Sequence, residues 1–187
     1  AMLVDEGKLK WDDRVVDRLP GFQMSDAYVT REMRIRDLLC HRSGLGLGAG
    51  DLMFFPASDL SAEDILYRLR FVPLATSFRS RYAYDNILYN VAGAVIQQVS
   101  GKPWAQFIRE RFFAPLGMTS SKTSVADLTP ADDAISPHSM DEGKLRPVQA
   151  TKLDNVAPAG SIVSSVEDLS KWVIALLNKG DLGGGKR

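Results

Sequence analysis

Tyr84, Asp85 and Asn86 set a phenol, a carboxylate and a carboxamide on three consecutive residues within FRSRYAYDNILYNVAG, residues 78–93. After this polar knot, Ile87, Leu88, Val91, Val95, Ile96 and Val99 recur every three or four residues as far as Gly101. That period predicts an amphipathic helix from Asn86 onward, with Asp85 as its N-cap. A helix N-terminus carries unpaired N–H groups and the positive end of the dipole, so it favours a reacting oxygen. In such a place a tyrosine hydroxyl can exchange a proton with a serine or lysine if a neighbouring cation lowers its pKa. An asparagine amide can donate to a substrate carbonyl or accept from an ammonium. Spacing alone favours a half-buried aromatic beside a capping residue, because a Tyr-x-Asn triplet arises often by chance.

The elements around the knot read as mostly helical, with a little strand late in the chain. Residues 1–6 look like the last turns of a helix closing at Gly7, and RIRDLLCHRSGL predicts a short helix with Ile35, Leu38 and Leu39 on one face, ending at Gly44. GLGLGAGD at 44–51 reads as a flexible glycine-rich loop, without the Gly-Lys-Ser/Thr ending of a phosphate-binding loop. Ser61 with Asp64 predicts the start of another helix. Pro103 opens PWAQFIRERFF, which Pro115 should stop. AISPHSM and KLRPVQ, joined by DEG, predict a hairpin. Ser164 with Glu167 predicts a capping box for the last helix, VEDLSKWVIALLNKG. The chain then runs into NKGDLGGGKR, a glycine-rich turn.

Composition excludes several function classes. Lys plus Arg and Asp plus Glu both number 23 in 187 residues, so no basic field is present to hold nucleic acid. No apolar run approaches the roughly 20 residues of a membrane-spanning helix. The single cysteine, Cys40, is expected to be a small buried filler, and His41 and His138 have no metal-site spacing. No cofactor is expected.

Four blocks in order carry a resemblance to a known family. LLCHRSGL, FRSRYAYDNILYNVAG, GKPWAQFIRERFFAPLGM and VAPAGSIVSSVEDLSKWV together resemble the serine β-lactamase and penicillin-binding-protein-like hydrolases, the group of class C β-lactamases, D-alanyl-D-alanine peptidases and related esterases. AMLVDEGKLKWDD resembles the end of the family's nucleophile-bearing helix. The resemblance implies the helical subdomain of the β-lactamase/transpeptidase-like fold plus the margins of its α/β domain. Within a single truncated domain it implies the nucleophile-helix end and linker at 1–30, the helical part at 31–130, and the hairpin and return helix at 131–187.

It also implies roles. Tyr84 would help deprotonate a serine nucleophile and reprotonate the leaving group, Asn86 would hold the substrate amide, and an acyl-enzyme would form and be hydrolysed. Asp85 stands where a serine is common, and Cys40 and Arg42 stand where hydroxyl residues are frequent. His41 is implied to be a structural hydrogen-bonding residue at a helix end rather than a general base. Arg79 and Arg81 flank the motif and would either attract a substrate carboxylate or stay solvated.

Two of the family's three motifs do not occur in these residues. No lysine has a serine three residues before it, TSSK at 119–122 being the nearest approach, and KTS at 122–124 lacks the glycine of Lys-Thr-Gly. The serine is expected upstream of Ala1 and the third motif after residue 187, so the chain reads as a piece of a longer polypeptide, inactive by itself. The alternatives are a non-catalytic binding or sensor module of the same fold, or a helical interaction domain with chance motifs. The whole protein would take a small-molecule substrate and be periplasmic or secreted. Faces uncovered by truncation, at Ala1 and at 166–177, are expected to favour self-association.

Overall fold

Among the described residues, 1–181, the computed structural model has nine α-helices and one hairpin. In chain order the helices are α1 (Met2–Asp5), α2 (Val15–Arg18), α3 (Ala27–Glu32), α4 (Ala62–Arg68), α5 (Ile87–Ser100), α6 (Trp104–Ile108), α7 (Ala114–Leu116), α8 (Ala157–Gly160) and α9 (Val166–Leu177). A 3₁₀ turn at Ile35–Leu39 and a π-helical turn at Arg109–Phe113 lie between them. Strands β1 (His138–Asp141) and β2 (Lys144–Pro147) pair antiparallel, with His138 opposite Pro147 and Asp141 opposite Lys144. The turn between them puts Glu142 and Gly143 at φ 47° and 75°, the conformation that a two-residue hairpin loop demands. Residues 182–187, part of the expected glycine-rich turn, lie outside the described residues.

The chain divides into two compact units, the first made of Ala1–Phe107 with Asp154–Gly160. Its centre is α5, against which α1, α2, α4, α8 and the 3₁₀ turn pack. The predicted stripe is the buried one: Ile87, Leu88 and Val91 are wholly enclosed and Val95 nearly so, each worth about 1.5–3 kcal/mol relative to exposure. Val15, Met33, Leu38, Leu45, Ile65 and Leu69 fill the space around them. The helix ends at Gly101 with φ 72°, a left-handed position that glycine takes without strain. The Ser61 and Asp64 capping box forms as expected, with Ser61 Oγ accepting from the Asp64 N–H at 3.0 Å.

LLCHRSGL departs from expectation in both shape and burial. The 3₁₀ turn has three residues per turn, so Ile35 and Leu38 face inward together while Leu39 is turned outward. Cys40 follows as the C-cap and is exposed, which corrects the expectation of a buried filler.

The second unit holds Ile108–Leu153 and the chain from Ser161 onward. Pro115 does not stop the helix, which continues to Leu116 and ends at Gly117, φ 66°. An interior proline crowds the carbonyl four residues back, and the wider π turn just before it relieves that clash. The cap of α9 is Ser165 rather than Ser164, because the Ser164 hydroxyl pairs with Ser121 at 2.8 Å. Ser165 Oγ instead accepts from the Asp168 N–H at 3.2 Å.

Asp168 is 1 % exposed and accepts from the Ser120 N–H and the Ser121 hydroxyl, both at 2.8 Å, and from Lys171 Nζ at 3.0 Å. Burial pushes its carboxyl up, but these donors outweigh burial and hold it below the usual carboxylate range. On α9, Val166, Leu169, Val173, Ile174, Leu176 and Leu177 are exposed, the stretch on which self-association is expected.

Candidate active site

The polar knot is held residue by residue by one segment, residues 41–51. The Ala83 N–H donates to the His41 carbonyl at 2.9 Å, and the Gly48 N–H donates to the Tyr84 carbonyl at 2.8 Å. The Asp85 N–H donates to His41 Nδ1 at 3.3 Å, and Ser43 Oγ donates to Asp85 Oδ2 at 3.2 Å. Asn86 Nδ2 lies 3.1 and 3.3 Å from the two carboxylate oxygens of Asp51.

Only a glycine suits the bend in this segment at Gly44, where φ is 95° and an added Cβ would stand 2.8 Å from the Thr76 carbonyl oxygen. The same bend lets the Gly44 carbonyl accept from the Ala75 and Thr76 amides. GLGLGAGD is therefore not the free loop that its composition suggests. It is pinned to the knot at both Tyr84 and Asn86.

Helix α5 begins at Ile87, so Asn86 occupies the formal N-cap position and its side chain makes no capping bond. Asp85 still does the expected work one residue earlier, with Oδ1 accepting from the Leu88 N–H at 3.4 Å. The consequence is a division of labour: the enclosed Asp85 carboxylate caps the helix, and the Asn86 amide is released for other contacts. Tyr84 is 44 % exposed, and among the described residues its hydroxyl has no hydrogen-bond partner. Its ring lies 4.6 Å from that of His41, which also stacks on Tyr89 at 5.4 Å. His41 adopts φ 56° and spends both its carbonyl and Nδ1 on holding the knot. This is the structural role expected for it.

Burial pushes the Asp85 carboxyl up, against the lowering effect of the Leu88 amide, the Ser43 hydroxyl and His41. A folded pKa above the unfolded value means that this group's stabilisation is complete below the unfolded pKa and is lost as pH rises through the folded one. Asp85→Asn removes that loss while keeping an oxygen for the Leu88 amide. Urea midpoints should therefore shift in favour of Asp85→Asn, relative to the native chain, between about pH 3.5 and pH 7, bracketing the ordinary carboxylate range of about 3.9. A difference that stays constant across that range would contradict the buried, ionising role.

The remaining sequence candidates separate. Arg79 grips the buried Asp37 carboxylate through Nε at 2.9 Å and a second nitrogen at 2.6 Å, with φ 62°. It is a structural ion pair, and hydrogen bonding to Asp37 pushes its pKa further up. Arg81 is exposed. Lys122, of the TSSK approach, pairs with Asp132 at 3.3 Å and bridges its backbone to Val163, so it acts as a framework residue. Sequence reasoning did not single out Ser43 or Asp51, which lie 42 and 35 residues from their partners.

The sequence model of the family described as Beta-lactamase matches residues 1–187. An unguisins hydrolase of Aspergillus campestris is 29% identical over 191 residues, covering 96% of this chain and 35% of that protein. The octameric penicillin-binding protein homologue of Pyrococcus abyssi superposes with a TM-score of 0.81 at 23% identity, covering 96% of this chain and 42% of the other. The D-amino acid amidase of Ochrobactrum anthropi SV3, solved with L-phenylalanine, superposes with a TM-score of 0.77 at 27% identity, covering 96% and 51%. The chain thus spans about a third of that curated relative and at most about half of those solved structures.

Proposed function

The chain belongs to the β-lactamase family, and from that premise we propose that it is part of a serine hydrolase acting through an acyl-enzyme on β-lactams, D-amino-acid peptides or small esters. The observation that carries this reading is the clamped knot. Tyr84 keeps an exposed hydroxyl without a partner among the described residues, while its backbone and both neighbours are fixed. A proton carrier needs that combination: a free oxygen on a rigid support.

Tyr84 is the proton carrier between the serine and the leaving group, and Asn86 contacts the substrate amide beside it. Arg81, exposed at the flank, is the residue left to attract a substrate carboxylate, since Arg79 is committed to Asp37. The likeness to a D-amino acid amidase favours amide substrates with a D-configured residue within the proposed range.

The 187 residues contain neither Ser-x-x-Lys nor Lys-Thr-Gly or His-x-Gly, so by this reading they do not turn over substrate alone. The test is covalent labelling with a fluorescent penicillin and a fluorophosphonate. The full-length polypeptide should label with at least one probe, and the 187-residue chain with neither. A full-length protein that carries the serine and takes up neither probe overturns the proposal.

A further inference from the structure

Asp51 approaches Asn86 from the glycine-rich loop, and the chemistry of the pair fixes which way the amide faces. A carboxylate in its ionised form only accepts hydrogen bonds, so the atom of Asn86 that faces both its oxygens must be the nitrogen. One N–H is then shared between Oδ1 and Oδ2, and the carbonyl oxygen of Asn86 is turned away from the loop. We propose that Asp51 is a positioning residue: it locks the Asn86 side chain so that its carbonyl oxygen is presented as an acceptor.

This selects between the two roles open to an asparagine at that position. With its nitrogen engaged, Asn86 serves chiefly to accept from an ammonium or a substrate N–H, and only its second N–H remains to donate. Asp51 is itself well placed to do this. Its own N–H donates to the Gly48 carbonyl at 3.0 Å, and it opens a 3₁₀ turn, Asp51–Met53, behind the left-handed Gly50 at φ 88°. Among the described residues it forms no ion pair, so its carboxylate is not drawn away from Asn86 towards a cation. The loop that supplies Asp51 is the one whose Gly48 N–H holds the Tyr84 carbonyl. Both candidate residues are thus registered from one support. The cost of losing such support is familiar from outer-shell residues elsewhere: the contact is one step from substrate, and misplacing it by about 1 Å can lower a rate about 100-fold.

Two readouts test the assignment in the full-length polypeptide, and only the second rests on the hydrolase reading. The first is the Asn86 side-chain NH₂ pair in ¹H–¹⁵N spectra, identified by its disappearance in Asn86→Asp. Asp51→Ala should move that pair towards free-amide positions and speed its exchange with water. Asp51→Asn, which keeps an acceptor oxygen, should fall between Asp51→Ala and the native protein. Backbone signals of Asp85 and Leu88 should stay in place, as a check that the helix start is intact. The second readout is acylation, where Asp51→Ala should lower kcat by about 10–100-fold with KM changed far less, and Asp51→Asn should recover part of it. An Asn86 pair that does not move in Asp51→Ala overturns the proposal, whatever the activity. A native protein that never acylates overturns the hydrolase reading and leaves the spectral test standing. An Asp51→Ala protein that acylates at the native rate refutes the positioning role even if the hydrogen bond is present.

Discussion

Replacing Tyr84 by phenylalanine in the full-length polypeptide is expected to slow acylation by about 10²–10⁴-fold, the range that a positioned acid or base supplies. The fold should be untouched. The hydroxyl has no hydrogen-bond partner among the described residues, and the backbone contact to Gly48 and the ring contact to His41 are both kept by phenylalanine. Unfolding free energies of the two proteins, from urea titrations, should therefore agree within about 0.5 kcal/mol, as for substitutions away from special features. Loss of rate without loss of stability separates a proton carrier from a half-buried aromatic, which phenylalanine would replace with neither rate nor stability lost. The measurement is a pre-steady-state acylation rate with a chromogenic ester or β-lactam. A phenylalanine protein that acylates as fast as the native one removes Tyr84 from the mechanism.

Much of the scaffold around this site was legible in the sequence because its signals are local. The stripe from Ile87 to Val99 repeats at the helical period, and DEG specifies a tight turn through a glycine at positive φ. Ser61 and Asp64 cap each other across three residues, a distance that sequence spacing can see. Where the structure departs from these signals, a partner distant in sequence or a change of helical period decides the outcome. Ser164 and Ser165 are chemically equal candidates for the cap of α9, and only the claim of Ser121, 43 residues away, makes Ser165 the cap. The turn at Ile35–Leu39 has a period of three instead of 3.6, which turns Leu39 away from the face of Ile35 and Leu38, and Cys40 follows as an exposed C-cap.

The site shows the same limit more sharply. Tyr84 and Asn86 stood out because they sit beside a periodic run, but nothing in GLGLGAGD distinguishes Asp51 from any polar residue closing a loop. Its importance comes from the bend at Gly44 and the left-handed Gly50, which bring it to Asn86. The composition of GLGLGAGD suggests freedom, whereas its glycines are the means of a close fit. A glycine supplies flexibility to an unpartnered loop, yet it also permits backbone paths that no other residue can follow. Which of these holds depends on hydrogen bonds that form only once the chain is folded.

Gly93 carries that lesson into a second large effect, expected on stability. It lies in the interior of α5, where exchanging glycine for alanine would ordinarily stabilise a helix by about 1 kcal/mol. A Cβ added at this position would meet Pro158 Cγ at 2.2 Å and Pro158 Cβ at 2.9 Å, well inside contact distance. The proline ring cannot swing aside as a long side chain would, so α8 must move. That movement pulls on the Asn155 carbonyl held by Asn90 Nδ2 at 3.3 Å and on Asn155 Nδ2, which donates to the Leu60 carbonyl at 3.1 Å. Overpacking of this kind costs about 1–3 kcal/mol or more and outweighs the propensity gain, so Gly93→Ala should lower the urea midpoint. The decisive comparison is the same change made in a Pro158→Gly background. With the ring gone, Gly93→Ala should become neutral or stabilising, which gives a coupling energy of about 1–3 kcal/mol between the two positions. If the two substitutions instead add without coupling, the approach of α8 to α5 is not what requires glycine at 93.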